Sequence, residues 1–407
     1  MVTPVDELDL ALLNTSTSLD PECDVAALAH QSEHGWLAKF TFGYVVLHYD
    51  DVLALLRERS LHQASGLVAQ LFTGEGTALD QLSRESLLSA EGDTHTRLRR
   101  LVASPFSPSS INRLRPFMRD YVSELARLLN ASNAASYVVD APEVLSRYPI
   151  AVICHHLAVE QADWDLFSRW AETTFLLFSS EAQGNEDRIF KEMKEFSHYC
   201  TALIDERRAH LGDDLISHLI EAEQEGDRLS TPEMVSLIQG IIAAGTDTTR
   251  NQLSTALALL STRPEIWSDM QGNDELVAGV VEESLRYLNP IRFVIRQVNE
   301  PFEYRDVAFQ KGTLLAFSLA GANRDEHHFI GSNAFDPRRK RPRDHLTFSS
   351  GIHHCLGAAL ARAELHEALI TLREYWTRIE PAGDVIWKDS RLAVWGAQSV
   401  PLRVTPA

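Results

Sequence analysis

The chain has 407 residues, 44% of them hydrophobic, and a formal charge of −19 at pH 7. That is enough apolar material for a large buried core, while so acidic a balance excludes a general affinity for nucleic acid or anionic lipid, which need a positive field. The opening MVTPVDELDLALLNTSTSLD has neither a basic stretch nor a long apolar one, and nowhere do about eighteen uncharged apolar residues run together. A cytoplasmic monomer with no membrane anchor is therefore expected. Cys23, Cys154, Cys200 and Cys355 are scattered without a CxxC pair, which argues against a disulfide framework or a structural zinc site.

Taken in chain order, the predicted elements are mainly helical. YVVLHY (44–49) is the first strand signal, and GLVAQLFTGEGTALDQ (66–81) reads as an irregular, partly apolar loop suited to cover a ligand. RPFMRDYVSELARLLN (115–130) carries apolar residues at three- and four-residue spacing, the pattern of an amphipathic helix. AVICHHLAV (151–159) is an apolar helical run without glycine, so Cys154 reads as core packing. Ser230-Thr231-Pro232-Glu233 fits a capping box that opens a long helix, expected to end at Arg263 before Pro264. At about 1.5 Å per residue that helix is on the order of 50 Å long, enough to cross the molecule. FVIR (293–296), TLLAFSL (313–319) and LAVWGAQSVPLRV (392–404) are short strands. No linker or internal repeat divides the chain, so residues 1–407 are expected to form one mainly α domain with small accessory β-sheets.

Two segments break their local rules. In the middle of the long helix, AAGTDTTR (243–250) replaces good helix formers by Gly245, threonines and Asp247, and the glycine alone costs about 1 kcal/mol there. The apolar Ile241, Ile242, Ala243 and Ala244 just before it make the segment buried, and a local conflict inside a strongly signalled element marks a functional site, where a deformed backbone opens a groove or holds water. A buried acid beside a hydroxyl suits proton delivery, with Asp247 exchanging protons with solvent and Thr248 hydrogen-bonding a polar intermediate.

The second segment is SGIHHCLG (350–357). Cys355 precedes an Ala- and Leu-rich helix, a position that favours the thiolate, and Gly351 and Gly357 let the backbone turn tightly beside a flat ligand. Adjacent His353 and His354 point apart and make a poor zinc pair. A Cys–His nucleophile has no accompanying oxyanion motif, and a purely structural cysteine is the remaining alternative.

Together these segments resemble the cytochrome P450 family, of the soluble bacterial kind, over almost the whole chain. The resemblance implies the P450 fold, a haem b buried between the long central helix and the Cys loop, and Cys355 as the iron ligand, within the signature Phe348 to Gly357. Ser349 stands where glycine is usual and Ile352 where proline is frequent. His353 corresponds to a propionate partner, and His95 and Arg99 of HTRLRRLVASPF (95–106), with Arg296, join it; Gly92-Asp93-Thr94 replaces the usual Asp-Pro-Pro. Ala244-Gly245-Thr246-Asp247-Thr248-Thr249 matches the acid–alcohol motif, with Ala244 and Gly245 beside the cofactor. Glu283 and Arg286 match the buried ExxR pair, joined by an arginine of FDPRR, Arg339 in preference to Arg338.

The activity so implied is O2-dependent monooxygenation, hydroxylation or epoxidation, of an apolar small molecule, with electrons from a separate ferredoxin and its reductase. A non-catalytic haem sensor, peroxide-driven chemistry and oxidative coupling are the alternatives. The basic run Arg338 to Arg343, with Arg97 and Arg100, is expected to steer an acidic ferredoxin. Leu67, Leu71, Leu237, Ile241, Ala244, Ile291, Phe293, Val294 and Val394-Trp395 are expected around the substrate. Arg292 either anchors a substrate carboxylate or faces solvent.

Overall fold

The central helix runs Thr231–Ser261, and its first turn is closed by the capping box: Ser230 Oγ accepts from the Glu233 amide while Glu233 accepts from the Ser230 amide at 2.8 Å. It stops two residues short of Arg263, because the residue before Pro264 is pushed out of the helical region, here to φ −132° and ψ 64°. The helix is continuous through AAGTDTTR, and threonine hydroxyls bond to the preceding turn, Thr246 Oγ1 donating to Ile242 O at 2.7 Å.

In this computed structural model the described residues are all but 1, 14–20, 34, 41, 65, 68–69, 71–73, 85–88, 132–133, 177–181, 225–228, 341 and 389–393. The central helix is buried on most of its circumference and packs against helices Tyr148–His156, Trp164–Leu176, Glu186–Ala209, Asp274–Tyr287 and Ala358–Tyr375. An element apolar all round belongs at the centre of a large core, and the main hydrophobic cluster is built on it. Cys154 lies in that cluster, fully buried, and burial pushes its thiol far above the usual range. The helix expected at 115–130 has those bounds.

The sheets are small. The largest orders its strands as Leu37–Phe40, Gly43–Val46, Leu314–Ser318, Phe293–Val298 and Leu61–Gln63. The strand expected over 44–49 stops at Val46, since Tyr49 opens a helix and its amide donates to the buried Asp325 carboxylate at 2.9 Å. Of the tail, Ala397–Ser399 pairs with Ile386–Trp387 in a hairpin, and Pro401–Pro406 joins Trp376–Pro381 and Tyr137–Asp140. The segment expected as a loop over 66–81 ends in a helix, Ala78–Arg84, where Thr77 Oγ1 accepts from the Asp80 amide as an N-cap. Among the described residues no helix is long and apolar enough to cross a membrane.

Candidate functional site

The Cys loop is shaped by two left-handed residues. Gly351 has φ +71°, and a Cβ there would sit 2.5 Å from Leu56 O, so only glycine fits. Ser349 also has φ +58°, a conformation that costs a non-glycine residue on the order of 1 kcal/mol, and its buried hydroxyl has no partner. Gly357 is different: its φ of −81° suits any residue, and an added Cβ would meet only Cys355 Sγ at 4.0 Å. The turn therefore rests on Gly351 and not on Gly357.

The loop closes through the Cys355 amide, which donates to Phe348 O at 2.9 Å, and the helix Ala358–Tyr375 starts two residues beyond Gly357's neighbour Leu356. Cys355 keeps an accessible side. Desolvation by the surrounding loop nevertheless raises its thiol, outweighing the Gly357 amide and the charges of Arg99 and Arg362, which favour the thiolate. Phe348 is buried beneath the Arg362 guanidinium, 4.5 Å from its ring centre.

Four cationic or ionisable groups converge beside this loop. The His95 and His353 rings are 4.3 Å apart, Arg99 donates to His354 O, and Arg296 is buried with desolvation pushing it down to about 10. Desolvation also lowers His95, with the charges of His353 and Arg99 adding to it, and its buried Nδ1 has no hydrogen-bond partner. Sequence reasoning missed the counter-charge, Glu91. Its Oε1 meets His353 Nε2 at 2.9 Å and accepts from the Gln63 amide; burial raises this carboxyl, but those bonds more than compensate and leave it below its ordinary range. The available signal was its place four residues before His95, at the helix N-cap.

On the central helix, Thr248 Oγ1 donates to Ala244 O at 2.8 Å, and Ala244 is exposed although the three residues before it are buried, so this face is open. At Gly245 a Cβ would lie 2.3 Å from Ile153 Cδ1, so the glycine makes room for the neighbouring helix. Asp247 pairs with Arg250 and with Lys388, whose Nζ is 3.4 Å from Oδ2.

The Glu283–Arg286 pair is 1% exposed on both residues and bidentate, at 2.8 and 2.7 Å. Arg286 also donates to the carbonyls of Asn323, Ser332 and Ala334, and Arg339 reaches Glu283 at 3.3 Å and the carbonyls of Ile330, Gly331 and Ala334. Arg338 instead pairs with Asp269 at the surface. The basic run is thus partly spent inward. Lys340 is exposed, Arg343 is exposed and lies 3.4 Å from Glu282, and Arg341 lies outside the described residues. Arg97 is engaged by Glu233, whereas Arg100 is exposed.

The expected substrate contacts lie on several elements. Leu237 and Ile241 are buried in the main core, Ile291 and Val294 pack on the cluster under the large sheet, and Phe293 stacks on Phe40. Leu67 lines a cavity of about 390 Å³ with Phe40, Tyr44, Ile295 and Leu314; Leu71 lies outside the described residues. Because side chains alternate along a strand, that cavity is on the opposite sheet face from Arg296. Arg292 is buried with its guanidinium 4.1 Å from the centre of the Trp395 ring, which removes the solvent-facing alternative.

A cysteine loop at a helix start, a central helix with an open acid–alcohol face and a cationic cluster short of carboxylates together define a haem-thiolate class of protein. The chain belongs to the cytochrome P450 family, whose model matches residues 45–398. It is similar to the luteothin monooxygenase of Streptomyces thioluteus, 32% identical over 386 residues and 93% of each chain, and to the mycinamicin IV hydroxylase/epoxidase of Micromonospora griseorubida, 32% identical over 354 residues and 86% of each. Its fold matches cytochrome P450 CYP109Q5 from Chondromyces apiculatus with a TM-score of 0.85 and 28% identity, covering 98% and 99% of the two chains. The protein is accordingly a P450 oxidoreductase with a thiolate-ligated haem b. The residues present fit that group: His95 Nδ1 lacks a partner, Glu91 is the carboxylate acting on His95, His353 and Arg296, and Arg99 acts on His95, a donor set suited to further carboxylates.

Proposed function

We propose that this P450 monooxygenase hydroxylates or epoxidises an apolar secondary metabolite in the bacterial cytoplasm, as a monomer supplied with electrons by a separate ferredoxin and reductase. Cys355 would ligate the haem iron, His95, Arg99, Arg296 and His353 would hold its propionates, and Phe348 and Gly351 would shape the loop beneath it. When bound, haem supplies the reductive activation of O2 that inserts oxygen into a substrate. The observation that carries this assignment is Arg99, which donates to His354 O next to the cysteine while its charge acts on the Cys355 thiol, so one side chain joins the thiol site to the cationic cluster.

The remaining work of the chain is proton control. Thr248 holds its hydroxyl proton on Ala244 O and can turn its lone pairs towards the open face, and Asp247, the residue before it, is part-buried and paired to cations that reach solvent. An apolar substrate is supported by the exposed Ala244 and by relatives named for luteothin and mycinamicin IV. The exposed Lys340, Arg343 and Arg100 support an acidic electron donor, since the protein is otherwise strongly acidic.

Thr248→Ala tests the proton role. With ethoxycoumarin as an apolar probe and electrons from a bacterial ferredoxin system, electron consumption should persist while product per electron falls by on the order of tenfold, the excess appearing as peroxide. Unchanged product per electron would remove Thr248 from the mechanism.

A further inference from the structure

The carboxylate of Asp247 is engaged from two separate elements. Arg250, one turn further along the same helix, donates to Oδ1, and Lys388, from the hairpin near the C-terminus, donates to Oδ2 at 3.4 Å. The three side chains are part-buried, with 20% of Asp247, 24% of Arg250 and 29% of Lys388 exposed. They are partly enclosed, not out on the surface.

The hairpin is built to bring Lys388 there. Its backbone amide donates to Gly396 O at 3.0 Å, and Gly396 lies against the central helix so closely that a Cβ would be 2.4 Å from Asn251 Cβ. Asn251 in turn donates to Asp247 O at 2.7 Å, one turn back. Behind this contact, Trp387 and Trp395 stack with centres 4.8 Å apart and planes 12° apart, the Arg292 guanidinium lies at Trp395, and the Trp395 amide donates to Pro290 O at 2.8 Å. A cation–aromatic stack of this kind fixes a short hairpin that its two-residue and three-residue strands could not hold alone.

We propose that Lys388 is a positioning residue for proton delivery: from the hairpin it fixes the orientation of the Asp247 carboxylate beside Thr248. The inference rests on the acid–alcohol reading above. The physical reason is that a carboxylate with one cation, Arg250 on its own helix, is free to swing about its terminal bond, which is broad and soft, whereas a second charge-assisted bond from another element fixes its plane. Proton transfer is steep in geometry, and a misplacement of about 1 Å costs far more than the bond that prevents it.

The test compares Lys388→Met, Lys388→Arg and Thr248→Ala in the full haem-loaded chain, with ethoxycoumarin and the same electron supply. Lys388→Met should lower product per electron by roughly fivefold, the scale of about 1 kcal/mol in positioning, and raise the solvent deuterium isotope effect on turnover, and Lys388→Arg should restore most of both. A readout independent of turnover is thermal unfolding: the change in Tm caused by Asp247→Asn should shrink in the Lys388→Met background, because the two residues share one interaction. Additive Tm changes, or Lys388→Met coupled as well as the parent while Thr248→Ala is uncoupled, overturn this inference alone. If Thr248→Ala is itself fully coupled, the acid–alcohol reading falls and this one with it. Lys388→Arg as impaired as Lys388→Met also overturns it, since the lysine would then act through packing and not through its charge.

Discussion

Glu283→Ala is expected to destabilise the protein by about 3–5 kcal/mol, the usual result of removing one partner from a buried ion pair, and a loss of that size is a large part of the stability of an ordinary domain. Glu283 is 1% exposed and serves two arginines, Arg286 by a bidentate contact and Arg339 from the segment before the Cys loop. Without it, Arg286 keeps its carbonyl acceptors on Asn323, Ser332 and Ala334 but loses its counter-charge in a site that water does not reach. The Asp336 amide, which donates to Glu283 at 2.8 Å, is orphaned as well. Glu283→Gln keeps an acceptor oxygen and should lose less. Thermal unfolding and the yield of haem-loaded protein check both. A Tm within a degree or two of the parent for Glu283→Ala would show that the pair is not a structural keystone.

The second large effect is a pH dependence carried by His156. Its ring is mostly enclosed, Phe106 meets it edge-on at 5.6 Å, and its Nε2 is buried without a partner. Desolvation lowers it to about 4, with His155 and Arg113 adding repulsion and Asp214 only partly offsetting them. The unfolded chain binds this proton near its ordinary pKa, about 6.5, so the stability gained by burying the neutral ring is complete above that value. It is lost as pH falls from there towards about 4, by up to about 3 kcal/mol. His156→Gln, which stays neutral throughout, should flatten this part of the profile. Stability measured by urea unfolding at pH 7 and at pH 4.5 would give parallel curves for parent and variant if the account were wrong.

Much of the architecture was readable from local chemistry. Ser230 to Glu233 marked the start of the central helix because a capping box is a local, reciprocal arrangement, and 115–130 announced itself by periodicity. What local chemistry cannot contain is the partner supplied by a distant segment. The role of Gly245 depends on Ile153, and that of Gly351 on Leu56. Glu91 joins His353 across 262 positions, and Lys388 meets Asp247 across 141. Arg292 offered two readings in sequence, and only the position of Trp395 decided against solvent. The Cys355 thiol shows the same division, since helix position was visible in sequence but the Arg99 charge that acts on it comes from a distant segment.

The central claim, that Cys355 is the thiolate ligand of the haem, is tested most directly by the absorption spectrum of the reduced carbon monoxide complex, with Cys355→Ser as the control. The parent should give the strongly red-shifted band of a thiolate-ligated haem and the variant should lack it. A parent spectrum without that band, or a Cys355→Ser variant that retains it, would contradict the assignment.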